Sequence, residues 1–259
     1  MLYTGIIGYP LAVTFSPVMQ QAAFSHLGIE GVYQRFPVPA QKLKDAVFGL
    51  AALGFRGVNV TAPHKEAVYR LLQLLSPEAE AVGAVNTILF GERMQGFNTD
   101  VHGFRESLRI MDIGLQGRSV LLIGSGGAAR SCGYVIKNLK PANFMITNRT
   151  ASRAKNLASA LSAEPVPYDL LDSCASHADL VVNSTSEDML AMIKKFKSGA
   201  VYYDLNYRFP ARDCRGFRAV NGLLMLALQG AESFRIWTGQ PAPLEIMKKA
   251  LESVSCSDF

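Results

Sequence analysis

The segment LLIGSGGAAR, residues 121–130, is the stretch that decides the fold. It reads as an apolar strand, a glycine-rich turn and the start of a helix, and Gly124, Gly126 and Ala129 fit the pattern G-x-G-x-x-A. The first glycine allows a tight turn, the second lets the backbone approach a pyrophosphate, and the small third residue permits close helix–strand packing. Because N–H groups at a helix start bind phosphates, the segment predicts a dinucleotide-binding unit. A purely structural glycine turn is the alternative.

Strands and helices alternate on both sides of this segment. Such alternation predicts mostly parallel sheets covered by helices. The pattern begins at residue 2 and starts again at residue 119, which indicates two α/β units. The expected strands are LYTGIIG (2–8), GVYQRFPV (31–38), RGVNVT (56–61), SVLLIG (119–124), NFMITN (143–148), ADLVVNST (178–185) and AVYYDL (200–205).

The boundary between the units is expected near 101–114, inside a connecting helix. The last amphipathic segment, PAPLEIMKKALESV (241–254), is expected to pack back on the first unit. The predicted domains are therefore 1–101 plus 237–259, and 102–236.

Residues after the second strand of the dinucleotide unit indicate which cofactor is used. An NAD site places Asp or Glu about 20 residues after the glycines to bind the ribose 2′-hydroxyl. This chain has NRTASR (148–153) there, in which Arg149 and Arg153 supply positive charge and Asn148 and Thr150 supply hydrogen bonds. Arginine grips phosphate in a planar, bidentate manner, so we predict NADP rather than NAD. Thr150 also suits a helix N-cap, which is compatible with this role.

A second group of polar residues precedes the glycine turn. In NVTAPHK (59–65), Lys65 lies at a predicted helix start, where the helix dipole disfavours a cation. The alternatives are a solvated surface lysine and a lysine placed for chemistry. GAVNTILFGERMQGFNTD (83–100) has Asn-Thr pairs flanking a predicted hairpin, and Asn86, Asn98 and Asp100 end apolar strands. Turn chemistry alone is the alternative for Asn98 and Asp100, but two Asn-Thr pairs beside NVTAPHK predict a polar cleft.

Two hydroxyl groups stand together near the N-terminus. In VTFSP (13–17), Thr14 and Ser16 are two residues apart. Ser16 is either the N-cap of a helix over 17–28 or part of a binding site, and a carboxylate ligand is favoured near such a helix start.

Composition excludes several classes of protein. The net charge of +5 comes from scattered basic residues without a Lys/Arg block, which favours small anionic ligands over nucleic acid. No apolar stretch is long enough for a membrane span, and the N-terminus lacks the basic region of a secretory signal, so we expect a cytoplasmic protein. The four cysteines show no CxxC pair and no His cluster, so reduced thiols and no metal site are expected.

Together these segments resemble the shikimate dehydrogenase family. The matching pieces occur in family order from residue 5 to residue 239: GYPLAVTFSPVMQQAAF, GVNVTAPHKE, GAVNT, GFNTD, GSGGAAR, NRTASRA, DLVVNSTSEDM, YYDLNY and MLALQGAESFRIWTG. The resemblance implies an α/β fold with an N-terminal, mostly parallel substrate domain, a Rossmann-type NADP-binding domain and the active site in the cleft between them. It implies reversible oxidation of shikimate to 3-dehydroshikimate with NADP, in the pathway to chorismate and the aromatic amino acids.

The resemblance also assigns roles to residues. Lys65 and Asp100 match the catalytic pair. The other matched residues bind ligands: Thr14 and Ser16 the substrate carboxylate; Thr61, Asn86 and Gln229 the substrate hydroxyls; Tyr207 the substrate side; and Gly124, Ser125, Gly126, Gly127, Ala128, Asn148, Arg149, Thr150, Arg153, Thr185 and Met225 the cofactor. The expected partners are the small-molecule substrate and NADP, without nucleic acid or membrane. The expected oligomeric state is a monomer or a homodimer.

The sequence departs from the family pattern at four places. Thr14 stands where serine is usual, Asp188 and Leu224 replace common glycines, and YRFPAR (207–212) lacks the usual threonine after proline. These differences bear on the choice of substrate, so a quinate-accepting relative, or one acting on another cyclic hydroxy acid, is the main rival. A non-catalytic NADP sensor is the other, but it would require a broken site, and Lys65, Asn86, Asp100 and Gln229 are all present.

Overall fold

The computed structural model describes residues 1–11, 13–207, 212–214 and 216–255, with the backbone alone for 212–214 and 255. The chain divides into two compact units, the first made of Met1–Glu106 and Leu224–Phe259 and the second of Ser107–Leu223. The sequence placed the boundaries at 101/102 and 236/237. The second boundary lies earlier because the helix that begins at residue 223 carries side chains bonded to the first unit.

The first unit is built on a six-stranded sheet of order β2-β1-β3-β5-β6-β4. β1 pairs in parallel with β2 and β3, whereas β5 is antiparallel to β3 and to β6, and β4 is parallel to β6. The predicted hairpin is β5–β6. The strands are β1 (Leu2–Gly8), β2 (Gly31–Pro37), β3 (Gly57–Val60), β4 (Leu74–Leu75), β5 (Thr87–Leu89) and β6 (Gln95–Phe97).

Helices cover this sheet and bury its apolar residues. They are α1 (Ser16–His26), α2 (Leu43–Ala52), α3 (Lys65–Leu71), α4 (Pro77–Val82), α5 (Thr99–Ile110), which continues into the second unit, α10 (Leu223–Thr238) and α11 (Leu244–Ser255). Ile7, Val58 and Ile88 from the strands join Val47 of α2 and Val68 of α3 in one apolar core. The C-terminal helix α11 packs on α1, as its amphipathic pattern predicted.

The second unit has a seven-stranded sheet of order β12-β13-β11-β10-β7-β8-β9. Numbered from β7, the six parallel strands run 3-2-1-4-5-6, which is the order of a Rossmann fold, and β12 adds an antiparallel edge. The strands are β7 (Ser119–Ile123), β8 (Asn143–Thr147), β9 (Glu164–Pro165), β10 (Leu180–Asn183), β11 (Ala200–Asp204), β12 (Arg212–Cys214) and β13 (Phe217–Val220).

Four helices follow strands of this second sheet. They are α6 (Gly127–Asn138), α7 (Ala151–Leu161), α8 (Leu171–Ala175) and α9 (Met189–Met192). The order of strands reverses between β7 and β10, and ligands of open α/β sheets bind at the carboxyl ends of the strands at such a point. The fold therefore directs attention to the turns that follow β7, β8 and β10.

Two local predictions need correction. Ser16 is the first residue of α1 rather than its N-cap: Phe15 occupies the cap position, and the Ser16 N–H donates to Thr14 Oγ1 at 3.4 Å. Thr150 does hold the N-cap position of α7, but its side chain makes no capping hydrogen bond.

The structure describes the side chains of two of the four cysteines. Cys132 is buried and Cys174 is half-buried, while Cys256 and the Cys214 side chain lie outside the described residues, as do residues 208–211 of YRFPAR. Within the described part of the chain, each helix is too short or too polar to traverse a bilayer.

Candidate active site

Lys65 is the first residue of α3 and forms an ion pair with Asp100. Its Nζ lies 2.6 Å from Asp100 Oδ2, and the two side chains are 14% and 8% exposed. β3 delivers the lysine through a turn, because Thr61 follows that strand and its carbonyl accepts a hydrogen bond from the His64 N–H. The pair explains how a lysine is kept at a helix start that disfavours its charge: a carboxylate lies against it.

Asn86 joins this pair to its surroundings. Its Nδ2 donates to Asp100 Oδ1 at 2.9 Å, to Thr99 Oγ1 at 2.9 Å and, more weakly, toward Gln229 Oε1 at 3.4 Å. Its Oδ1 accepts from the Thr99 N–H at 2.7 Å. The structure therefore brings together four residues that the sequence placed in one site: Lys65, Asn86, Asp100 and Gln229.

Beneath this group lies a buried set of hydroxyls and amides that the sequence did not assign. The hydroxyl of Ser233 lies 2.9 Å from that of Thr87 and 3.1 Å from that of Thr99, and it accepts from Asn59 Nδ2 at 2.9 Å. Tyr33 in turn donates to Asn59 Oδ1 at 2.7 Å. These bonds fix the carbonyl and amide positions of Asn86 from below.

Thr14 and Ser16 also lie together. Thr14 Oγ1 is 3.3 Å from Ser16 Oγ, and both residues are buried. Arg35 donates from Nη2 to the backbone carbonyl of Thr14 at 3.1 Å, which places a cation beside the two hydroxyls. Two hydroxyls and a guanidinium are suitable partners for a carboxylate.

Asn98 and His64 hold the backbone around the Lys65–Asp100 pair in place. Asn98, predicted as part of a polar cleft, donates from Nδ2 to the Ala84 carbonyl at 2.8 Å and so braces the chain before the hairpin. His64 is buried, and its Nε2 lies 2.6 Å from the Val38 carbonyl, which ties the start of α3 to the end of β2. Sequence reasoning missed His64 because a buried histidine next to a lysine has no distinctive spacing.

The glycine turn of the second unit has the backbone geometry that the motif requires. Gly124 has φ +113°, and a Cβ there would lie 2.3 Å from Ser184 Oγ, so only glycine fits. Gly126 is the N-cap of α6, and nothing lies within 4 Å of the position that a Cβ would take. Open space at the start of a twelve-residue helix therefore leaves room for phosphates at its N–H groups, with Ser125, Gly127 and Ala128 alongside.

The predicted adenosine-phosphate residues follow β8. Asn148 Nδ2 donates to the Thr150 carbonyl at 3.1 Å, and Arg149 and Arg153 are exposed. Arg149 Nη1 lies 3.4 Å from Glu187 Oε1, which connects this segment to the turn after β10. Two arginines at this position fit a 2′-phosphate.

Thr185 and Tyr207 stand in the turns after β10 and β11. The backbone N–H and hydroxyl of Thr185 both donate to Asn183 Oδ1, at 3.0 and 2.8 Å. Tyr207 is half-buried. Met225, predicted to touch the cofactor, is buried in α10 and belongs to the first unit.

The structure accounts for one departure from the family pattern. The side chain of Asp188 accepts a hydrogen bond from the Ala191 N–H at 3.1 Å and is the N-cap of α9. The carboxylate therefore has a local structural role. Nothing in the structure explains Leu224.

A metal site is not formed by the described residues: across the described ranges, no three His, Cys, Asp or Glu side chains could hold an ion together.

The strand order, the glycine turn and the basic segment after β8 define a dinucleotide-binding protein, and the first unit adds the buried Lys65–Asp100 ion pair. Comparison with known families agrees. Residues 6–88 match the shikimate dehydrogenase substrate binding domain, residues 106–200 match shikimate / quinate 5-dehydrogenase, and residues 222–252 match the shikimate 5′-dehydrogenase C-terminal domain. The chain belongs to the shikimate dehydrogenase family.

Individual relatives cover almost the whole chain. A shikimate dehydrogenase (NADP(+)) of Methanothermobacter thermautotrophicus is 38% identical, over 97% of this chain and 96% of its own. The crystal structure of shikimate 5-dehydrogenase from Thermus thermophilus in complex with NADP(H) and shikimate matches with a TM-score of 0.86, 36% identity and coverage of 98% and 99%. Quinate dehydrogenase from Corynebacterium glutamicum in complex with NAD matches with a TM-score of 0.84, 26% identity and coverage of 97% and 99%.

Proposed function

We propose that this protein is an NADP-dependent shikimate dehydrogenase. It interconverts shikimate and NADP⁺ with 3-dehydroshikimate, NADPH and a proton. The observation that carries the proposal is the Lys65–Asp100 pair, bonded through Asn86 to Gln229, in a chain that belongs to this family. In the biosynthetic direction the product is shikimate, an intermediate on the route to aromatic amino acids.

Lys65 handles the proton in this proposal. A bound NADP would supply the hydride acceptor or donor for the substrate carbon that carries the reacting hydroxyl. The hydroxyl oxygen on that carbon must lose a proton as it becomes a carbonyl, and gain one in reverse. Lys65 Nζ takes or supplies this proton, and Asp100 holds the lysine at hydrogen-bond distance. Positioned acid–base groups of this kind accelerate reactions by about 10²–10⁴-fold.

The remaining polar residues of the first unit bind the substrate. Thr14 and Ser16 take its carboxylate, assisted by the charge of Arg35, which donates to the Thr14 carbonyl. Thr61, Asn86 and Gln229 bind ring hydroxyls. Asn86 already shares its two amide protons among three acceptors, so it aligns Asp100 at the same time.

The cofactor is proposed to bind the second unit. The N–H groups at the start of α6 hold the pyrophosphate beside Gly124, Ser125, Gly126, Gly127 and Ala128. The ribose 2′-phosphate is held by Asn148, Arg149, Thr150 and Arg153. Thr185, in the turn after β10, also contacts the cofactor. Tyr207 is proposed to contact the substrate, and Met225 is proposed to contact the cofactor.

A quinate-accepting enzyme is the second candidate, because a quinate dehydrogenase has the same fold along almost the whole chain. Quinate carries an additional ring hydroxyl. Thr14 places a methyl group beside its hydroxyl in a buried position, which reduces the room near the carboxylate end. The two arginines after β8 favour NADP over the NAD bound by that relative.

The test is the oxidation of shikimate by purified protein, followed by the absorbance of NADPH. Quinate replaces shikimate in one parallel series and NAD replaces NADP in another. Turnover of shikimate with NADP at least tenfold more efficient than either replacement is the expected result. More efficient turnover of quinate, or of shikimate with NAD, would refute the assignment. Light scattering of the same preparation tests the expectation of a monomer or a homodimer, and the cytoplasmic location stays a prediction.

A further inference from the structure

Asp204 is a buried carboxylate that the proposed chemistry does not use. It is the last residue of β11 and only 4% exposed. Three neutral donors surround it: Oδ2 accepts from the Tyr202 hydroxyl at 2.9 Å, and Oδ1 accepts from Asn183 Nδ2 at 3.1 Å and from the Asn206 N–H at 2.8 Å. A buried charge is costly, so its retention here needs a reason.

Asn183 carries the influence of this carboxylate into the turn after β10. It is the last residue of that strand and fully buried. Its Nδ2 donates to Asp204 Oδ1 at 3.1 Å and also to the Glu187 carbonyl at 2.9 Å. Its Oδ1 accepts both the N–H and the hydroxyl of Thr185. One amide, bonded to Asp204, therefore contacts the turn at 184–188 at two residues, Thr185 and Glu187.

The same oxygen of Asp204 also holds the turn after β11. The Asn206 N–H that it accepts lies one residue before Tyr207. The two turns are joined once more where Asn206 Nδ2 donates to the Ser186 carbonyl at 3.3 Å. One carboxylate oxygen thus braces both strand-end turns that carry predicted ligand contacts, Thr185 and Tyr207.

We propose that Asp204 is a positioning residue for cofactor binding, which acts through Asn183 on the 184–188 turn and through the Asn206 N–H on the turn that leads to Tyr207. The inference rests on the proposed function only in taking the cofactor to be NADP. Asp204 itself touches neither ligand.

The energetics of this carboxylate point to the same role. Burial raises the pKa of Asp204, and Asp188 adds to the rise, while the bonds from the Asn206 N–H, Tyr202 and Asn183 oppose it. A carboxyl whose pKa is raised on folding stabilises the fold when protonated, and this contribution is lost as the pH rises through the folded pKa. The raised pKa therefore makes the ionised form less favourable to folding, and the cost grows as the pH rises through the folded pKa. Asp204→Asn removes that charge but keeps an oxygen for the turns.

The experiment measures NADP affinity by calorimetry, together with KM for NADP and for shikimate, in Asp204→Ala and Asp204→Asn. The control is Tyr202→Phe, because Tyr202 bonds the other carboxylate oxygen, Oδ2, and the variant leaves in place both bonds of Oδ1, to Asn183 and to the Asn206 N–H. In Asp204→Ala the loss of charge-assisted hydrogen bonds should weaken NADP binding by at least about tenfold. KM for shikimate should change less than NADP affinity, because Asp204 reaches the substrate side only through the Asn206 N–H that precedes Tyr207, whereas Asn183 connects it directly to Thr185.

The asparagine variant separates positioning from stability. Its neutral bonds are about half as strong, so NADP affinity should fall by about two- to fivefold while the melting temperature at neutral pH holds or rises. Tyr202→Phe should leave NADP affinity unchanged. If Asp204→Ala does not fold, the comparison of Asp204→Asn with Tyr202→Phe decides, and equal NADP affinity in those two variants overturns the proposal.

Two further results would overturn it: unchanged NADP affinity in Asp204→Ala, or an equal loss of shikimate and NADP affinity accompanied by a lower melting temperature. Because calorimetry needs no turnover, failure of the wild-type protein to oxidise shikimate would refute the proposed function while the role of Asp204 in NADP binding was still measured.

Discussion

Replacement of Lys65 by methionine tests the proposed chemistry most directly. Methionine fills a similar volume without a proton to give or take. The lysine Nζ lies 2.6 Å from Asp100 Oδ2, so the variant removes one strong contact and leaves the other carboxylate oxygen bonded to Asn86. We expect kcat to fall by about 10²–10⁴-fold, the usual contribution of a positioned acid–base group. The affinity for shikimate should change much less.

The effect on stability follows from the exposure of the pair. Exposed ion pairs contribute up to about 1 kcal/mol, and removal of one partner from a fully buried pair costs about 3–5 kcal/mol. With side chains 14% and 8% exposed, and with Asn86 still donating to Asp100, Lys65→Met should cost about 1–3 kcal/mol in the free energy of unfolding. Denaturant unfolding measures this value, and the protein should remain folded.

The matched control is Asp100→Asn, alone and combined with Lys65→Met. Because the two residues act as a unit, the double variant should be no slower than the slower single variant. It should also be more stable than Lys65→Met, since no carboxylate is left without its partner. A loss of only a few-fold in kcat for Lys65→Met, or additive losses in the double variant, would refute the assigned role of the lysine.

Three other perturbations test separate parts of the structure. Arg149→Ala should raise KM for NADP by about 10- to 100-fold and leave KM for NAD unchanged, because only NADP offers the 2′-phosphate; equal effects in steady-state kinetics would contradict this. Gly57→Ala should lower the free energy of unfolding by about 2–5 kcal/mol in urea titrations, because its Cβ would lie 2.2 Å from Trp237 Nε1. Asp179→Asn should lower it by about 0.5–1 kcal/mol at pH 7, because Asp179 pairs with Lys197 in a partly exposed position.

Controls for the last two perturbations lie in the same chain. Gly49 is inside α2 with nothing within 4 Å of the position that a Cβ would take, so Gly49→Ala should stabilise by about 0.5–1 kcal/mol. Burial raises the pKa of Asp179, but hydrogen bonds from Lys197 and the Ser119 N–H lower it by more, so the pKa lies below its ordinary value. A lowered carboxyl pKa contributes stability above its unfolded value and loses it as the pH falls through the folded pKa. The effect of Asp179→Asn should therefore shrink below pH 3.8, and a constant effect would exclude this cause.

The sequence predicts the second unit well because its signals are local. A strand, a glycine turn and a helix are encoded within ten residues, and Gly124 must be glycine both for its positive φ and for the close approach of Ser184. The strand order then follows from right-handed parallel crossovers. The start of α1 was less predictable: a serine before proline suits an N-cap, but the helix begins one residue earlier.

The hydrogen-bonded cluster beneath Asn86 could not be predicted from sequence patterns. Asn59, Thr87, Thr99 and Ser233 form one buried cluster, although up to 174 residues separate its members along the chain. Each is an ordinary polar residue in a strand or a helix, with no spacing that marks it. Only the return of α10 to the first sheet brings Ser233 under Asn86.

Buried polar groups have the same effect in both units. In the first unit, Asn59, Thr87 and Ser233 satisfy one another and leave Asn86 oriented toward Asp100, so the residues proposed to meet the substrate are held before it binds. Preorganised groups of this kind cost no rearrangement during the reaction. In the second unit, the proposed role of Asp204 and Asn183 is the same, for the turns assigned to the cofactor. A buried carboxylate is costly, and in this proposal it is retained because it fixes donors and acceptors before the cofactor binds.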